Sequence, residues 1–305
     1  MKLEGIIAAC VTPWKQAKPQ GASHPSQVDE AALGRHLEML LSAGVHGLCV
    51  GGSTGEFPRL EQSEFSRLVC ATVKIAAGRV PVIAGIGSAA IEGSLELARL
   101  AAQAGADAVL APPPFYFPYG QPEITVFFER LGKEVELPLL LYNIPQFTSP
   151  LETETAVNLL RQGPFAGIKD SGGDPEMLAA LLAARREHAF TLLSGYDATL
   201  AGAVEMGIDG AVSGIAACAP EVMVRLYGAA RSGDRPRAKA FQASVNELIA
   251  RLERFPAPVG IRIALEARGL PVGPHSIPLA RETEAAAREF ALWFEQWLGR
   301  ESTQS

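Results

Sequence analysis

The sequence predicts an α/β protein, a (β/α)8 TIM barrel with a C-terminal three-helix extension. Eight short apolar runs alternate with segments of helical apolar spacing, and the repeat measures roughly 20–40 residues. Strands that alternate with helices form parallel sheets, and eight such units in about 230 residues match the usual size of a barrel. After these eight units the strand pattern stops and three helical patterns remain, which predicts the extension.

The predicted strands are apolar runs bounded by glycine, proline or polar turn residues. Runs that are apolar throughout are typical of strands buried on both faces, as in a parallel sheet. In chain order these strands are 5–11, 46–50, 80–85, 107–111, 137–142, a run that begins at 165 and closes with Lys169, 190–194 and 210–213.

The predicted helices carry apolar residues three and four positions apart, as in Leu33, Leu37 and Leu40 of the first one. That helix follows a Ser/Asp-rich start and ends at Gly44, which are common start and stop signals. In chain order the barrel helices are 28–43, 60–77, 91–104, one through Phe127 and Phe128 after the proline-rich loop 112–122, 151–161, 175–186, 198–206 and 221–231.

The extension is predicted as helices 234–253, 259–268 and 282–298, with prolines between them. We therefore expect a catalytic barrel domain at 1–231 and a helical extension at 232–305 that serves packing or assembly more than chemistry. Residues 300–305 are expected to fray, and 15–27 to form a surface loop. An open doubly wound sheet is disfavoured because no glycine fingerprint follows the first strand.

Composition narrows the class of function. The net charge of −6 argues against a nucleic-acid surface and against a polybasic membrane patch. No apolar run is long enough to span a membrane. Three of the four cysteines lie in apolar runs, so we expect buried, reduced thiols and a cytoplasmic protein. No metal site is expected, since no His/Asp/Glu cluster falls at the strand ends.

In a (β/α)8 barrel the reacting groups follow the carboxyl ends of the strands. Lys169 is the only lysine that closes a predicted strand, because the others lie at the N-terminus, in the first loop or in helical stretches. An ion-paired or solvated lysine is the structural interpretation. An amine that desolvation activates toward a ketone, forming a Schiff base, is the chemical one. The strand-end candidates are Thr12, Ser53, Thr54, Tyr116, Tyr142, Lys169, Ser171, Tyr196, Asp197 and Ser213.

The loop 51–56, with sequence GGSTGE, follows the second predicted strand. Its glycines allow tight turns that expose backbone N–H groups, and successive N–H groups can form a nest for an anion such as a carboxylate. A tight turn capped by hydroxyl groups is the alternative. Tyr142 closes a strand, and a phenol near a Schiff base can shuttle protons. Packing is the alternative for Tyr142, as it is for Tyr116 in the proline-rich loop.

Five motifs lie in order along the chain: GSTGE at 52–56, VIAG at 82–85, GAD at 105–107, YNIP at 142–145 and GIKD at 167–170. Together they resemble the dihydrodipicolinate synthase / N-acetylneuraminate lyase family over nearly the whole chain. The resemblance implies a (β/α)8 barrel with a three-helix extension, in a homotetramer or homodimer. It also implies that pyruvate, or a 2-keto acid that yields pyruvate, is bound as a Schiff base, with no metal and no organic cofactor.

The resemblance also implies roles for single residues. Lys169 would be the Schiff-base lysine, and Tyr142 the phenol that shuttles protons and touches the substrate carboxylate. Gly52, Ser53 and Thr54 would hold that carboxylate, with Ser53 also in the proton relay. Two further positions match the family pattern: Tyr116, a tyrosine lent to a neighbouring subunit's relay, and Val212, whose carbonyl lies near the ketone.

Departures from the family pattern bear on the substrate. The synthases carry an arginine for the second substrate's carboxylate where this chain has Phe147, which cannot donate a hydrogen bond from its side chain. The sialic acid lyases share Gly195-Tyr196-Asp197 but follow it with glutamate, which is Ala198 here. Ser171 matches a polyol-contacting hydroxyl in the lyases.

We therefore expect a pyruvate-dependent Schiff-base aldolase or lyase that cleaves or forms a 2-keto-3-deoxy sugar acid or a hydroxy-2-oxo acid. The first alternative is 4-hydroxy-tetrahydrodipicolinate synthase, which joins pyruvate and aspartate semialdehyde, or a keto-acid dehydratase of the same family. An alternative of another class is a non-catalytic barrel that binds keto acids. The identity of the aldehyde half depends on Phe147, Ser171, Asp197 and the shape of the loops.

Overall fold

A computed structural model describes residues 3–15 and 27–303. Eight parallel strands close into one barrel in sequence order, with the first paired to the eighth. This confirms the predicted (β/α)8 barrel. The strands are β1 (Gly5–Ala9), β2 (Gly47–Val50), β3 (Val82–Gly85), β4 (Ala108–Ala111), β5 (Leu139–Asn143), β6 (Phe165–Asp170), β7 (Thr191–Ser194) and β8 (Gly210–Ser213).

One helix follows each strand of the barrel, and three more helices follow the last of these. The barrel helices are α1 (Glu30–Ser42), α2 (Gln62–Ala76), α3 (Ile91–Gln103), α4 (Gln121–Glu134), α5 (Thr153–Gln162), α6 (Pro175–Ala184), α7 (Leu200–Met206) and α8 (Pro220–Ser232). The extension consists of α9 (Arg235–Leu252), α10 (Val259–Ala267) and α11 (Arg281–Thr303). Three single 3-10 turns lie at Phe57–Arg59, Asp197–Thr199 and Ile215–Ala217.

The strands are buried on both faces, as their continuous apolar runs predict. Alternate residues point into the barrel, where Ile7, Cys49, Tyr142 and Val212 share one interior cluster. The intervening residues, such as Ile168, pack against the surrounding helices. Lys169 follows Ile168 and therefore faces the barrel interior, near the carboxyl end of β6.

Most element boundaries shift by one to three residues from the sequence expectation, but the C-terminus differs in kind. The expectation that the chain frays from residue 300 is wrong, because α11 continues to Thr303. Glu301 is buried there, and its carbonyl accepts a hydrogen bond of 2.9 Å from Nη1 of Arg225. Helix α4 begins at Gln121, because proline at 122 is tolerated in a first helical turn.

Two expectations are not settled by the described residues. The predicted surface loop 15–27 lies almost wholly outside them. The division at 231/232 stays a prediction, although α8 ends at Ser232. Within residues 3–15 and 27–303, no helix has both the length and the apolarity that crossing a membrane requires.

Candidate active site

Lys169 and Tyr142 are direct neighbours across β5 and β6. Nζ of Lys169 lies 4.0 Å from the centre of the Tyr142 ring, and both side chains are buried. A cation over an aromatic face is an attractive arrangement. The strand register therefore brings the predicted amine and the predicted phenol into contact.

The amine of Lys169 has no ion pair with any of the residues that the structure describes. Lys169 is only 7% exposed, yet its nitrogen meets neither a carboxylate within salt-bridge distance nor a hydrogen-bond acceptor among residues 3–15 and 27–303. The ion-paired interpretation is therefore wrong within that part of the chain. A lysine is seldom buried to this extent without a reason, so its position at the barrel mouth points to a use for the amine.

A hydrogen bond between an amide and a carboxylate side chain joins the carboxyl ends of β5 and β6. Nδ2 of Asn143 donates to Oδ1 of Asp170 at 2.7 Å, and Oδ1 of Asn143 accepts from the backbone N–H of Leu151 at 3.0 Å. The same Asp170 oxygen accepts from the N–H of Gly172. Burial raises the pKa of Asp170, and these hydrogen bonds oppose the rise. The bond holds Tyr142 and Lys169, one residue earlier on each strand, in register.

Gly195, directly after β7, leaves room for the lysine side chain. A Cβ at position 195 would lie 2.6 Å from Cε of Lys169 and would collide with Oγ of Ser171. Only glycine therefore allows the chain to pass this close to Lys169. The same contact places Ser171, a predicted substrate-binding residue, beside the lysine.

Asp197 lies buried on the other side of this glycine. Its Oδ2 accepts from Oγ of Ser213 at 2.9 Å and from the N–H of Ile215 at 3.3 Å. Its Oδ1 is buried and has no donor among the described residues. Burial raises the pKa of Asp197 to about 6, while the hydrogen bonds and the charge of Lys169 pull it down. Asp197 is thus a carboxyl group near the amine with one unpaired oxygen.

The loop after β2 is a tight turn, as the glycines predict. Gly51 has a φ of +66°, and the carbonyl of Gly52 accepts from the N–H groups of Gly55 and Phe57. The hydroxyl of Thr12 anchors the turn by donating to the Gly55 carbonyl at 2.7 Å.

This turn leaves donors exposed at its tip. Among residues 3–15 and 27–303, the backbone N–H groups and the hydroxyls of Ser53 and Thr54 donate to no acceptor. Oγ1 of Thr54 lies close to Gly214, at the end of β8. The nest interpretation therefore has the free donors it needs. The tight turn is present, but the hydroxyls of Ser53 and Thr54 do not cap it within the described residues.

The sequence reasoning missed a buried ion pair beneath this loop. Glu56 has a φ of 55°, and its Oε2 accepts from Nη1 of Arg262 at 2.9 Å. Arg262 comes from α10, in the extension, and is completely buried. Its guanidinium also donates to four backbone carbonyls, those of Thr12, Val272, Gly273 and Pro274. The available signal was a single arginine in the apolar run VGIRIAL at 259–265.

The remaining predicted residues divide into interior and exposed ones. Val212 lies in the interior cluster with Tyr142. Tyr116 is 85% exposed with a φ of 81°, and its ring packs edge-on against Phe117. Phe147, after β5, is 58% exposed. A single chain therefore assembles the lysine, its phenol and the loop, but leaves the Tyr116 ring in solvent.

Two of the described histidines, His36 and His46, bond to backbone groups. Nε2 of His36 lies 2.9 Å from the Ala217 carbonyl, and burial lowers the pKa of His36 to about 4. Nδ1 of His46 accepts from the N–H of Ile6. Within the described part of the chain, no three His, Cys, Asp or Glu side chains are grouped so that they could hold a metal ion.

Comparison with known proteins places this arrangement in a family. The Dihydrodipicolinate synthetase family matches residues 2–296. An uncharacterized DapA-like lyase of Halobacterium salinarum is 39% identical over 278 residues, which cover 91% of this chain and 88% of the relative. A 4-hydroxy-tetrahydrodipicolinate synthase of Methanopyrus kandleri is 33% identical over 285 residues, covering 93% and 92%.

Solved structures agree. A dihydrodipicolinate synthase has a TM-score of 0.88 at 28% identity, covering 97% of this chain and 99% of that one. A chloride-inhibited dihydrodipicolinate synthase of Acinetobacter baumannii, solved with pyruvate, has a TM-score of 0.86 at 30% identity, covering 97% and 99%. The prophage protein YagE of E. coli K12, also solved with pyruvate, has a TM-score of 0.86 at 28% identity, covering 96% and 98%. The chain therefore belongs to the dihydrodipicolinate synthetase family and is a lyase of that family built on a TIM barrel.

Proposed function

We propose that this protein is a pyruvate-dependent class I aldolase that cleaves or forms a 4-hydroxy-2-oxo acid through a Schiff base on Lys169. The observation that carries the proposal is the buried amine of Lys169, which lies 4.0 Å from the Tyr142 ring centre and has no ion pair among the described residues. Two structurally similar proteins, YagE and the Acinetobacter synthase, were solved with pyruvate, which supports this choice of keto acid.

In the cleavage direction, Lys169 attacks the C2 ketone, and loss of water leaves an iminium. Tyr142, acting through the hydroxyl of Ser53, takes the proton of the C4 hydroxyl. The C3–C4 bond then breaks, its electrons neutralise the iminium to an enamine, and an aldehyde leaves. Protonation of the enamine at C3 and hydrolysis release pyruvate and restore the amine. Condensation runs the same steps in reverse.

The substrate carboxylate docks on the loop after β2. The free N–H and hydroxyl groups of Ser53 and Thr54 support this role, and Gly52 gives the turn its shape. The Val212 carbonyl lies near the ketone in this arrangement. Asp197 and Ser171 face the part of the substrate beyond the pyruvate unit, beginning with the C4 hydroxyl. The unpaired Oδ1 of Asp197 is the support for that assignment.

Tyr116 completes the relay of a neighbouring subunit, in a homotetramer or homodimer. Its almost fully exposed ring supports this arrangement, because a phenol held in solvent by a backbone at φ 81° has little use within one chain. Tyr116→Phe should lower kcat without unfolding the protein, and sedimentation should show an assembly of two or four chains. A monomer with full activity would contradict the shared site.

We further propose a catalytic barrel domain at 1–231, an extension at 232–305 that braces the barrel, and a cytoplasmic location. Four free cysteines, three of them buried, support the reducing location. The reaction needs neither a metal nor an organic cofactor, because the protonated imine itself accepts the electrons of the breaking bond.

Borohydride reduction in the presence of pyruvate tests the Schiff base. We expect a covalent adduct that peptide mapping places on Lys169. Lys169→Ala should abolish the adduct and the activity, whereas Lys239→Ala, an exposed lysine of α9, should retain both. Absence of an adduct in the wild-type protein would refute the proposal. Undiminished keto-acid binding by Lys169→Ala would instead favour a non-catalytic binding barrel.

The second candidate is 4-hydroxy-tetrahydrodipicolinate synthase, the name that several relatives carry at 31–37% identity. It uses the same imine but adds aspartate semialdehyde, and a dehydratase of the family would instead eliminate water. Phe147 argues against the synthase, because it offers no donor to a second carboxylate. An assay with pyruvate and aspartate semialdehyde, run beside a panel of aldonic-acid derivatives, separates these reactions.

A further inference from the structure

A cavity of about 380 Å³ opens beside Ser53 at the barrel mouth. This volume lies within the usual range for small-molecule sites, about 300–1,000 Å³. Its walls come from five separate parts of the chain: the loop and 3-10 turn after β2, the proline-rich segment after β4, the loop after β5, the connection between α9 and α10, and the connection between α10 and α11. The fold thus builds one cavity where these loops converge.

The cavity adjoins the proposed catalytic residues Tyr142 and Ser53. Ile144 lines it and also packs with Tyr142 in the interior cluster. In an extended chain, residues two positions apart are separated by about 6.6 Å, so the cavity begins one side chain away from the phenol. Ser53, in the proposed proton relay, forms another part of the lining.

Apolar groups dominate the walls of the cavity. The rings of Phe57 and Phe115 meet edge to face, with centroids 5.3 Å apart. Phe147 adds a third ring, which is largely exposed to solvent. The other main apolar contributors are Pro112, Ile144 and Pro258.

Charged groups in the lining are already engaged with protein partners. Glu56 is bound by Arg262 at 2.9 Å and by Arg59 at 3.4 Å. The Arg59 guanidinium lies 4.5 Å from the centre of the Trp14 ring. The Thr148 hydroxyl is also engaged, since it donates to the carbonyl of Ile144. Besides these engaged groups, the lining offers the hydroxyls of Ser53 and Ser276. A charged or polyhydroxylated ligand would therefore lose more hydrogen bonds to water than it gains here, which is costly.

We infer that this cavity receives the aldehyde half of the substrate, and that this half is an aliphatic or aromatic group without charge. The inference rests on the proposed function. The full substrates are then 4-hydroxy-2-oxo acids with an apolar substituent on C4. In synthesis, C3 of the pyruvate enamine bonds to the aldehyde carbon, the carbonyl oxygen takes a proton relayed by Tyr142, and hydrolysis of the imine frees the product. Pyruvate and aldehyde combine with no other reactant consumed.

The test measures kcat/KM for condensation by the full chain at saturating pyruvate. Each added methylene from propanal to hexanal should raise kcat/KM about three- to fourfold while the cavity fills. Hexanal and benzaldehyde should exceed D-glyceraldehyde and succinic semialdehyde by about tenfold or more. Phe147→Ser should flatten the chain-length trend, whereas Val126→Ser, an exposed apolar residue of α4, should leave it unchanged.

Preference for D-glyceraldehyde or succinic semialdehyde over hexanal would overturn the inference, as would a flat chain-length trend in the wild-type protein. The wild-type series decides the matter even if Phe147→Ser does not fold. Borohydride trapping with pyruvate alone tests the Schiff base independently of the aldehyde preference. An adduct with the wrong aldehyde preference refutes only the apolar cavity, whereas no adduct refutes the proposed function and the inference with it.

Discussion

Arg262 links the helical extension to the loop after β2, and replacing it should weaken both stability and, if that loop holds the substrate carboxylate as proposed, substrate binding. The guanidinium is fully buried and donates to the Glu56 carboxylate and to four backbone carbonyls. Arg262→Met removes all five hydrogen bonds and leaves the Glu56 carboxylate with the weaker contacts to Arg59, at 3.4 and 3.5 Å. Breaking a buried ion pair by removing one partner costs about 3–5 kcal/mol.

The expected loss of stability is large enough to measure as a change in Tm. A protein of this length unfolds with an entropy of about 0.6 kcal/mol per degree near its Tm, so the loss corresponds to a fall in Tm of about 5–8 °C. Calorimetry measures this fall directly. Arg231→Met, which removes an exposed arginine of α8, should change Tm by less than about 1 °C. The KM for pyruvate should rise in Arg262→Met, because Glu56 directly follows the turn that carries Ser53.

A double-mutant cycle isolates the pair. If the charge of Glu56 is what Arg262 neutralises, Arg262→Met combined with Glu56→Gln should cost less than the two single changes added together. A free-energy loss below about 1 kcal/mol in Arg262→Met would refute the reasoning, since it would show that the buried carboxylate does not need its partner. Strict additivity in the cycle would assign the loss to the backbone carbonyls instead.

Three further outcomes follow from the site. Gly195→Ala should displace Lys169 and slow the trapping of pyruvate about 100-fold. The control Gly202→Ala should trap pyruvate at the wild-type rate, because no atom lies within 4 Å of a Cβ at that position. Equal trapping rates in the two variants would show that the lysine tolerates the added methyl group. Because the pKa of Asp197 is raised in the folded protein, its protonated carboxyl group makes its full contribution to stability below pH 3.8. This contribution is lost as the pH rises through about 6. Asp197→Asn should therefore gain about 3 kcal/mol relative to wild type between pH 4 and 7 in denaturant titrations, and a constant difference would contradict the buried carboxyl. Cys70 alone should react with a thiol reagent in the native protein, because burial raises the pKa of the other three thiols; two or more fast thiols would count against this packing.

Much of the fold could be predicted because its signals are local. Apolar runs and helical spacing are properties of neighbouring residues, so the strand and helix order follows from them. The same order puts every strand end on one face of the barrel, which is why Lys169 and Tyr142 could be singled out together. The end of α11 could not be predicted, because burial of Glu301 depends on a contact with Arg225, 76 positions away.

The site was only partly predictable. Motif and position identified Lys169, Tyr142 and the donors of the loop after β2. The catalytic roles of these groups stay predictions, which borohydride trapping with pyruvate would test. The sequence predicted that the extension serves packing or assembly more than chemistry, whereas Arg262 of that extension bonds to Glu56 in the loop after β2. The apolar cavity was also not predicted, since its walls come together only where five separate segments of the chain converge.

The sequence by itself determined that eight strands and helices alternate, and that one lysine closes a strand, because spacing and composition are written along the chain. Tertiary structure alone decided that this amine meets an aromatic face and no carboxylate among the described residues. It also decided that Glu56 is neutralised by a residue 206 positions away. Barrel closure is the physical reason, since it brings distant strand ends and loops within bonding distance in a way that no local pattern records.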